Sequence, residues 1–354
     1  MSAPPATPKP ANRERLRAIL GPDLARFADR VPEMMAQELV RGDHGFIAPY
    51  QLSEALLSRL RADMQDWTTP DVLRTLAPNS PLARNRMQAV AGGLAAMSCR
   101  AYPAFSYYPY LPFGPLVAGA CTAPLIVAVH GSSRNPKDLR DAYAAFAERL
   151  GCVVLAPLFP LDLTTSVPDE EYKQLIGDRL RYDHVLWAMI DELAAITSMR
   201  FSKILLFGFS GDAQFAQRLF YVAPERLGAV SLGAPSYVTL PNAKTGWWVG
   251  IGDVEARFGR AIDFDAMRRV PVQLLCGGDD DLDAAIYRAE EIGLDPHAYA
   301  ALGRNRQDRI ALLHDAYGDH GILCETSLIE GVGHACGPLL TASQPFFERV
   351  LVAD

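Results

Sequence analysis

The chain has 354 residues, of which 49% are hydrophobic, and its 41 acidic and 34 basic side chains leave a formal net charge of −7. Such a length can bury a large core, and one domain of about 250 residues with an appendage fits it better than two equal halves. The mild acidity and the lack of any Lys/Arg run argue against a nucleic-acid track or a polybasic membrane patch, and no apolar stretch approaches the roughly 18 residues that span a bilayer.

Met1 to Arg15 is rich in Pro and Ala and lacks the apolar middle segment of a secretory signal. Six cysteines (Cys99, Cys121, Cys152, Cys276, Cys324 and Cys336) are scattered singly without a CxxC. All six read as reduced, so the expected compartment is the cytoplasm. Residues 1–12 are expected to be a disordered tail. Residues 13–104 read as a helical N-terminal region, because Leu16, Leu20, Leu24, Phe27, Val31 and Met35 recur at steps of three and four. Something must cover that stripe, either the rest of the chain or a second copy, which makes this region a cap or a dimerisation surface. A homodimer is the partner expectation, with no nucleic acid and no membrane.

From residue 105 to residue 354 the texture is strands alternating with helices. Ser106–Leu111, Leu125–Val129, Cys152–Leu155, Ile204–Phe207, Ala229–Leu232 and Val272–Cys276 are short apolar runs of the kind buried on both faces of a parallel sheet. Helical stretches at Asp138–Leu150, Arg179–Ile196, Asp212–Tyr221 and Pro345–Val352 alternate with them. The fold class predicted is α/β: a doubly wound, mostly parallel sheet with a helical N-terminal region. Residues 237–269 and 282–321 read as insertions.

The strongest local motif is Gly208-Phe-Ser210-Gly211-Asp212, where an apolar strand ends and a helix begins at once. A serine on a strained strand-to-helix turn, flanked by small residues, has the context of a nucleophile elbow, and the N–H of Gly211 is placed to stabilise an oxyanion. Asp212 stands where a second glycine is usual. His130-Gly131-Ser132-Ser133 follows the Leu125–Val129 strand, so Ser132 or Ser133 would supply the second oxyanion N–H, while His130 ties the loop. Val332-Gly-His334 ends a short strand, Thr326–Ile329, before the last helix. Its placement, unlike that of His314, His320, His44, His184 or His297, makes His334 the expected general base. The orienting acid belongs at the strand exit Gly277-Gly-Asp-Asp-Asp-Leu-Asp283, where Asp279, Asp280, Asp281 and Asp283 compete. The usual exit spacing selects Asp280, with Asp281 in reserve. A calcium loop is disfavoured there because no mid-loop glycine makes the turn that an EF-hand needs.

Together, His130-Gly131, the Gly208–Gly211 elbow, Gly277–Asp280 and Val332–His334 resemble the α/β-hydrolase superfamily over roughly the last 250 residues. The Ser, Asp, His order along the chain is the order that superfamily uses. Tyr182-Asp183 opening a long helix and Gly233-Ala-Pro-Ser236 after the Ala229–Leu232 strand look like a bacterial esterase-like subgroup. The resemblance implies a cofactor-free serine hydrolase that cleaves an ester, amide or thioester of a small molecule through an acyl-enzyme. Alternatives are a C–C hydrolase or lyase with the same triad, or a non-catalytic binding protein on this fold. Trp247 and Trp248 in the first insertion are the expected apolar pocket wall, with packing of that loop onto the body as the alternative. Arg304, Arg306 and Arg309 in the second read as a solvated helix face, with an acidic-substrate site as the alternative.

Overall fold

A computed structural model describes Glu14, Arg17 and residues 92–113, 115, 120–160, 171–177, 180–282, 299 and 302–353. The chain divides by its contacts into two units, the larger formed by Gly93–Tyr110, Thr122–Ala195 and Arg200–Asp354. The smaller unit has few described residues; Glu14 and Arg17 are exposed and helical. The expected apolar stripe from Leu16 to Met35 and the expected tail lie outside the described residues.

The strands, in chain order, are β1 (Gly92–Gly93), β2 (Met97–Ser98), β3 (Ser106–Leu111), β4 (Thr122–Val129), β5 (Val153–Leu158), β6 (Arg200–Phe209), β7 (Ala229–Gly233), β8 (Val272–Gly277) and β9 (Cys324–Ile329). They form one sheet in the order β1-β3-β5-β4-β6-β7-β8-β9, with β2 against β3. From β5 through β9 every pairing is parallel, whereas β2–β3 and β3–β5 are antiparallel. The chain enters the sheet earlier than its sequence indicated, since Met97 already pairs with Tyr107. Two-residue strands carry no periodicity to read.

The helices are α1 (Pro136–Leu150), α2 (Tyr182–Thr197), α3 (Gly211–Val222), α4 (Val254–Phe258), α5 (Phe264–Met267), α6 (Arg306–Gly318) and α7 (Cys336–Val352). Pro136 opens α1, where a missing N–H costs nothing, and Gly151 closes it at φ 69°. Leu139, Tyr143, Phe146 and Ala147 put one face of α1 into a core shared with Leu340, Phe346 and Phe347 of α7 and with Ile126, Ala128, Leu205 and Phe207 of the sheet. The alternate residues Leu125, Val127, Leu155 and Leu206 are buried as well, so the sheet is covered on both faces. Helix α7 begins at Cys336, not at Pro345 as the sequence pattern indicated; Pro345 sits inside it. Likewise α2 starts at Tyr182, three residues later than expected.

Helix α3 is buried along its whole length, charged residues included. Arg218 donates to Lys173 O (2.7 Å), Thr239 Oγ1 (3.0 Å) and Gln214 Oε1 (3.1 Å). Gln217 donates to Thr239 O and accepts from its N–H. These bonds fasten the segment after β7 to the helix that carries the serine motif. Leaving any one of those buried groups unpaired would cost about 1–3 kcal/mol.

Candidate active site

Strand β6 delivers Phe209 to the sheet's edge, and Ser210 caps α3 with φ 59° and ψ −116°. That backbone conformation is sparsely populated by residues with a side chain, and it persists only where the surroundings impose it. Two constraints do so. Ser210 N–H donates to Gly233 O at 2.8 Å. A Cβ at Gly208 would collide with the backbone carbonyl of Asp212, so only glycine lets the chain turn this tightly. Gly211 follows as the first residue of α3, where helix geometry leaves N–H groups without an intrahelical acceptor.

His334 Nε2 lies 3.0 Å from Ser210 Oγ, and His334 Nδ1 lies 2.7 Å from Asp280 Oδ2. Residues from three loops, 70 and 54 positions apart along the chain, thus form one hydrogen-bonded relay. The His334 ring stacks on Phe209, with centroids 4.7 Å apart. Burial lowers the His334 pKa below its ordinary 6.5; the hydrogen bond to Asp280 opposes that shift, and the Arg306 charge adds to it. The imidazole is therefore neutral, and able to accept a proton, at neutral pH.

Among the competing aspartates, Asp280 is buried and faces the imidazole, while Asp279 and Asp281 are exposed. Asp283 lies outside the described residues. The turn that carries the acid is locked to the histidine loop: Gly278 N–H donates to Ile329 O and Asp279 N–H to Val332 O. A Cβ at Gly277 would meet the Val332 carbonyl, which is why the strand leaves through glycine.

The arginines of the second insertion are placed differently from the sequence reading. Arg304 is exposed, but Arg306 donates to Asp280 Oδ1 at 2.9 Å and Arg309 is buried, bonding the carbonyl of Ser236. A helix period alone could not reveal that Arg306 and Arg309 face inward, because their acceptors lie 26 and 73 positions away.

At the other end of the site, His130 Nε2 accepts the Phe159 N–H at 2.9 Å, which puts the ring proton on Nδ1, 2.8 Å from Gly131 O. The loop Gly131-Ser132-Ser133 is held by that ring and by Arg134, which donates to Ser132 O and Phe159 O. Asp212 is fully buried beneath this loop: it accepts from Tyr172 OH at 2.9 Å and lies 3.9 Å from His130 Nδ1. Its side chain thus fits the position where glycine is usual. Lys173, also buried, lays its side chain against Gly211. Ser236, on the Gly233-Ala-Pro-Ser236 segment, brings its Oγ within 3.3 Å of Ser210 Oγ. Neither Lys173 nor Ser236 carries a motif that names its place, although the Ser236 segment was conspicuous in sequence.

Trp247 donates from Nε1 to Gln174 O and packs edge-on against Phe258, while Trp248 lies under the Arg218 guanidinium and beside Tyr237. Both are half-buried and anchor the first insertion. Burial pushes the Cys276 and Cys336 thiols up to about 12, so neither offers a thiolate beside the serine. Among the described residues no group of three or more His, Cys, Asp or Glu side chains could hold a metal ion, and no helix is long and apolar enough to cross a membrane.

No family model and no curated protein matches the sequence. The structure is similar to solved ones. A poly(3-hydroxybutyrate) depolymerase from Bordetella parapertussis superposes with a TM-score of 0.58 at 20% identity, over 74% of this chain and 91% of that one. Poly(aspartic acid) hydrolase-1 from Sphingomonas sp. KT-1 gives 0.56 at 17% identity, over 72% and 98% of the two chains. A ferulic acid esterase gives 0.50 at 16% identity, over 74% and 99%. The chain has the α/β-hydrolase fold. A fold shared at such identities carries many chemistries and does not by itself set the activity.

Proposed function

We propose that this protein is a serine hydrolase that cleaves a carboxylic ester, or a related amide or thioester, of a small organic molecule through an acyl-enzyme. The observation that carries the reading is the relay from Asp280 through His334 to Ser210, with the serine on a strained turn at a helix N-terminus. His334 takes the Ser210 proton on Nε2 as Oγ bonds to the carbonyl carbon, and the charge that develops on oxygen falls to the N–H groups of Gly211 and of Ser132 or Ser133. Asp280 stabilises the imidazolium. The proton then passes to the leaving alcohol as the C–O bond breaks. Water, deprotonated by His334, repeats the attack and releases the acid and a free serine. These steps need no cofactor.

Trp247 and Trp248 are assigned to the apolar wall of the substrate pocket. In support, Trp247 bonds the carbonyl of Gln174, next to the Lys173 side chain that lies against Gly211.

A fluorophosphonate probe tests the nucleophile, because an activated serine attacks phosphorus as it attacks a carbonyl. Labelling should map by peptide mass spectrometry to Ser210 and vanish in Ser210→Ala. Labelling that persists unchanged in that variant removes Ser210 from its role.

A further inference from the structure

We propose that Arg306 is a positioning residue for this site: its guanidinium holds one oxygen of Asp280 so that the other faces His334. The proposal rests on the serine-hydrolase reading for its kinetic consequence but not for its electrostatic one.

The geometry is two-sided. Asp280 Oδ1 accepts from Arg306 Nη1 at 2.9 Å, and Oδ2 accepts from His334 Nδ1 at 2.7 Å. Asp280 is buried and the Arg306 side chain is 14% exposed. A buried carboxylate with a single partner could rotate about its Cβ–Cγ bond, whereas one held at both oxygens has a single orientation. Charge-assisted bonds of this kind are stronger and more directional than neutral ones.

Arg306 itself is fixed by its neighbours. It opens α6, whose cap Asn305 accepts from Asp308 N–H. Asn305 Nδ2 donates to Asp281 O, and Gln307 Nε2 donates to both Gly277 O and Gly278 O. Three consecutive side chains, the cap and the first two residues of α6, therefore grip the turn that carries the acid. One helical turn further on, Arg309 holds the carbonyl of Ser236, whose hydroxyl adjoins Ser210 Oγ. The second insertion thus braces the acid and a neighbour of the nucleophile with a single helix.

An isolated Asp280 beside His334 would favour imidazolium, and a protonated ring cannot accept the serine proton. Arg306 offsets that carboxylate charge and acts with burial to lower the His334 pKa. Among the described residues, the Cys276 thiol lies 4.0 Å from Asp280 Oδ2 and is neutral across this range, while the Asp279 and Asp281 carboxylates on the same turn are exposed to solvent. Asp212 and Lys173 belong to the oxyanion end, at Gly131 and Gly211.

The test compares the wild-type protein with Arg306→Gln and Arg306→Lys, reading the His334 imidazole by NMR titration without substrate and the pH dependence of kcat/KM on a chromogenic ester. The wild-type midpoint should lie below 6.5. Arg306→Gln should raise it by about 0.5–1 unit and move the acid limb of kcat/KM by the same amount. At the pH plateau its kcat should fall by roughly tenfold or more, with KM changed far less. Arg306→Lys should keep the midpoint near that of the wild type, because it keeps the charge.

An Arg306→Gln protein whose midpoint and acid limb stay put overturns the proposal, even if its activity is lost, because that pattern marks a structural role alone. If the wild type hydrolyses no ester, the functional reading fails while the titration still reports on Arg306.

Discussion

Ser210→Ala and His334→Ala should each lower kcat by about 10⁴-fold or more, and the double variant should lose little beyond either one. The reason lies in the distances. With Nε2 3.0 Å from Oγ, the serine becomes a nucleophile only as the imidazole takes its proton, and in the first step the imidazole acts on the substrate through that oxygen. Removing one therefore idles the other. Activity on a chromogenic ester, with circular dichroism to check the fold, measures the effect. Multiplying losses in the double variant would mean two independent roles and would break the relay apart.

Asp280→Asn should be nearly as damaging, at about 10⁴-fold in kcat with a KM close to that of the wild type. Arg306 makes the sign of this effect definite. Its guanidinium only donates, so the asparagine must turn its carbonyl oxygen toward Arg306. The amide nitrogen then faces His334 Nδ1, and that nitrogen has to accept. The ring proton moves to Nε2, where it blocks the very atom that must take the Ser210 proton. Asp281→Asn, at an exposed carboxylate, should change kcat by less than about twofold. A crippled Asp281→Asn beside a mild Asp280→Asn would move the acid by one residue.

Much of this arrangement was legible in the chain because it is local. The β6 run ending at Gly208, the serine two residues on and the immediate helix are a strand–turn–helix in sequence as in space. The spacing from Gly277 to Asp280 is likewise set by one tight turn, fixed by the approach of the Val332 carbonyl. What sequence could not convey is pairing across long separations. Arg306 looked like a residue on a solvated helix, since its inward direction depends on Asp280 at the end of another strand. Ser236 reaches Ser210 Oγ only through the fold of the segment after β7. The short strands at Gly92 and Met97 gave no signal, because two residues hold no period. Pro345 looked like a helix start, although α7 begins nine residues earlier at Cys336.

The proposed mechanism passes through a covalent acyl group on Ser210, which intact-protein mass spectrometry of the acid-quenched reaction detects. With a p-nitrophenyl ester in excess, p-nitrophenol release should begin with a burst of about one equivalent per active site where deacylation is the slower step. The quenched protein should be heavier by one acyl group, located on the peptide containing Ser210, and that species should be absent from Ser210→Ala. Full-rate ester hydrolysis by Ser210→Ala, or an acyl group carried on another residue while Ser210 stays free, would remove Ser210 from the role of nucleophile.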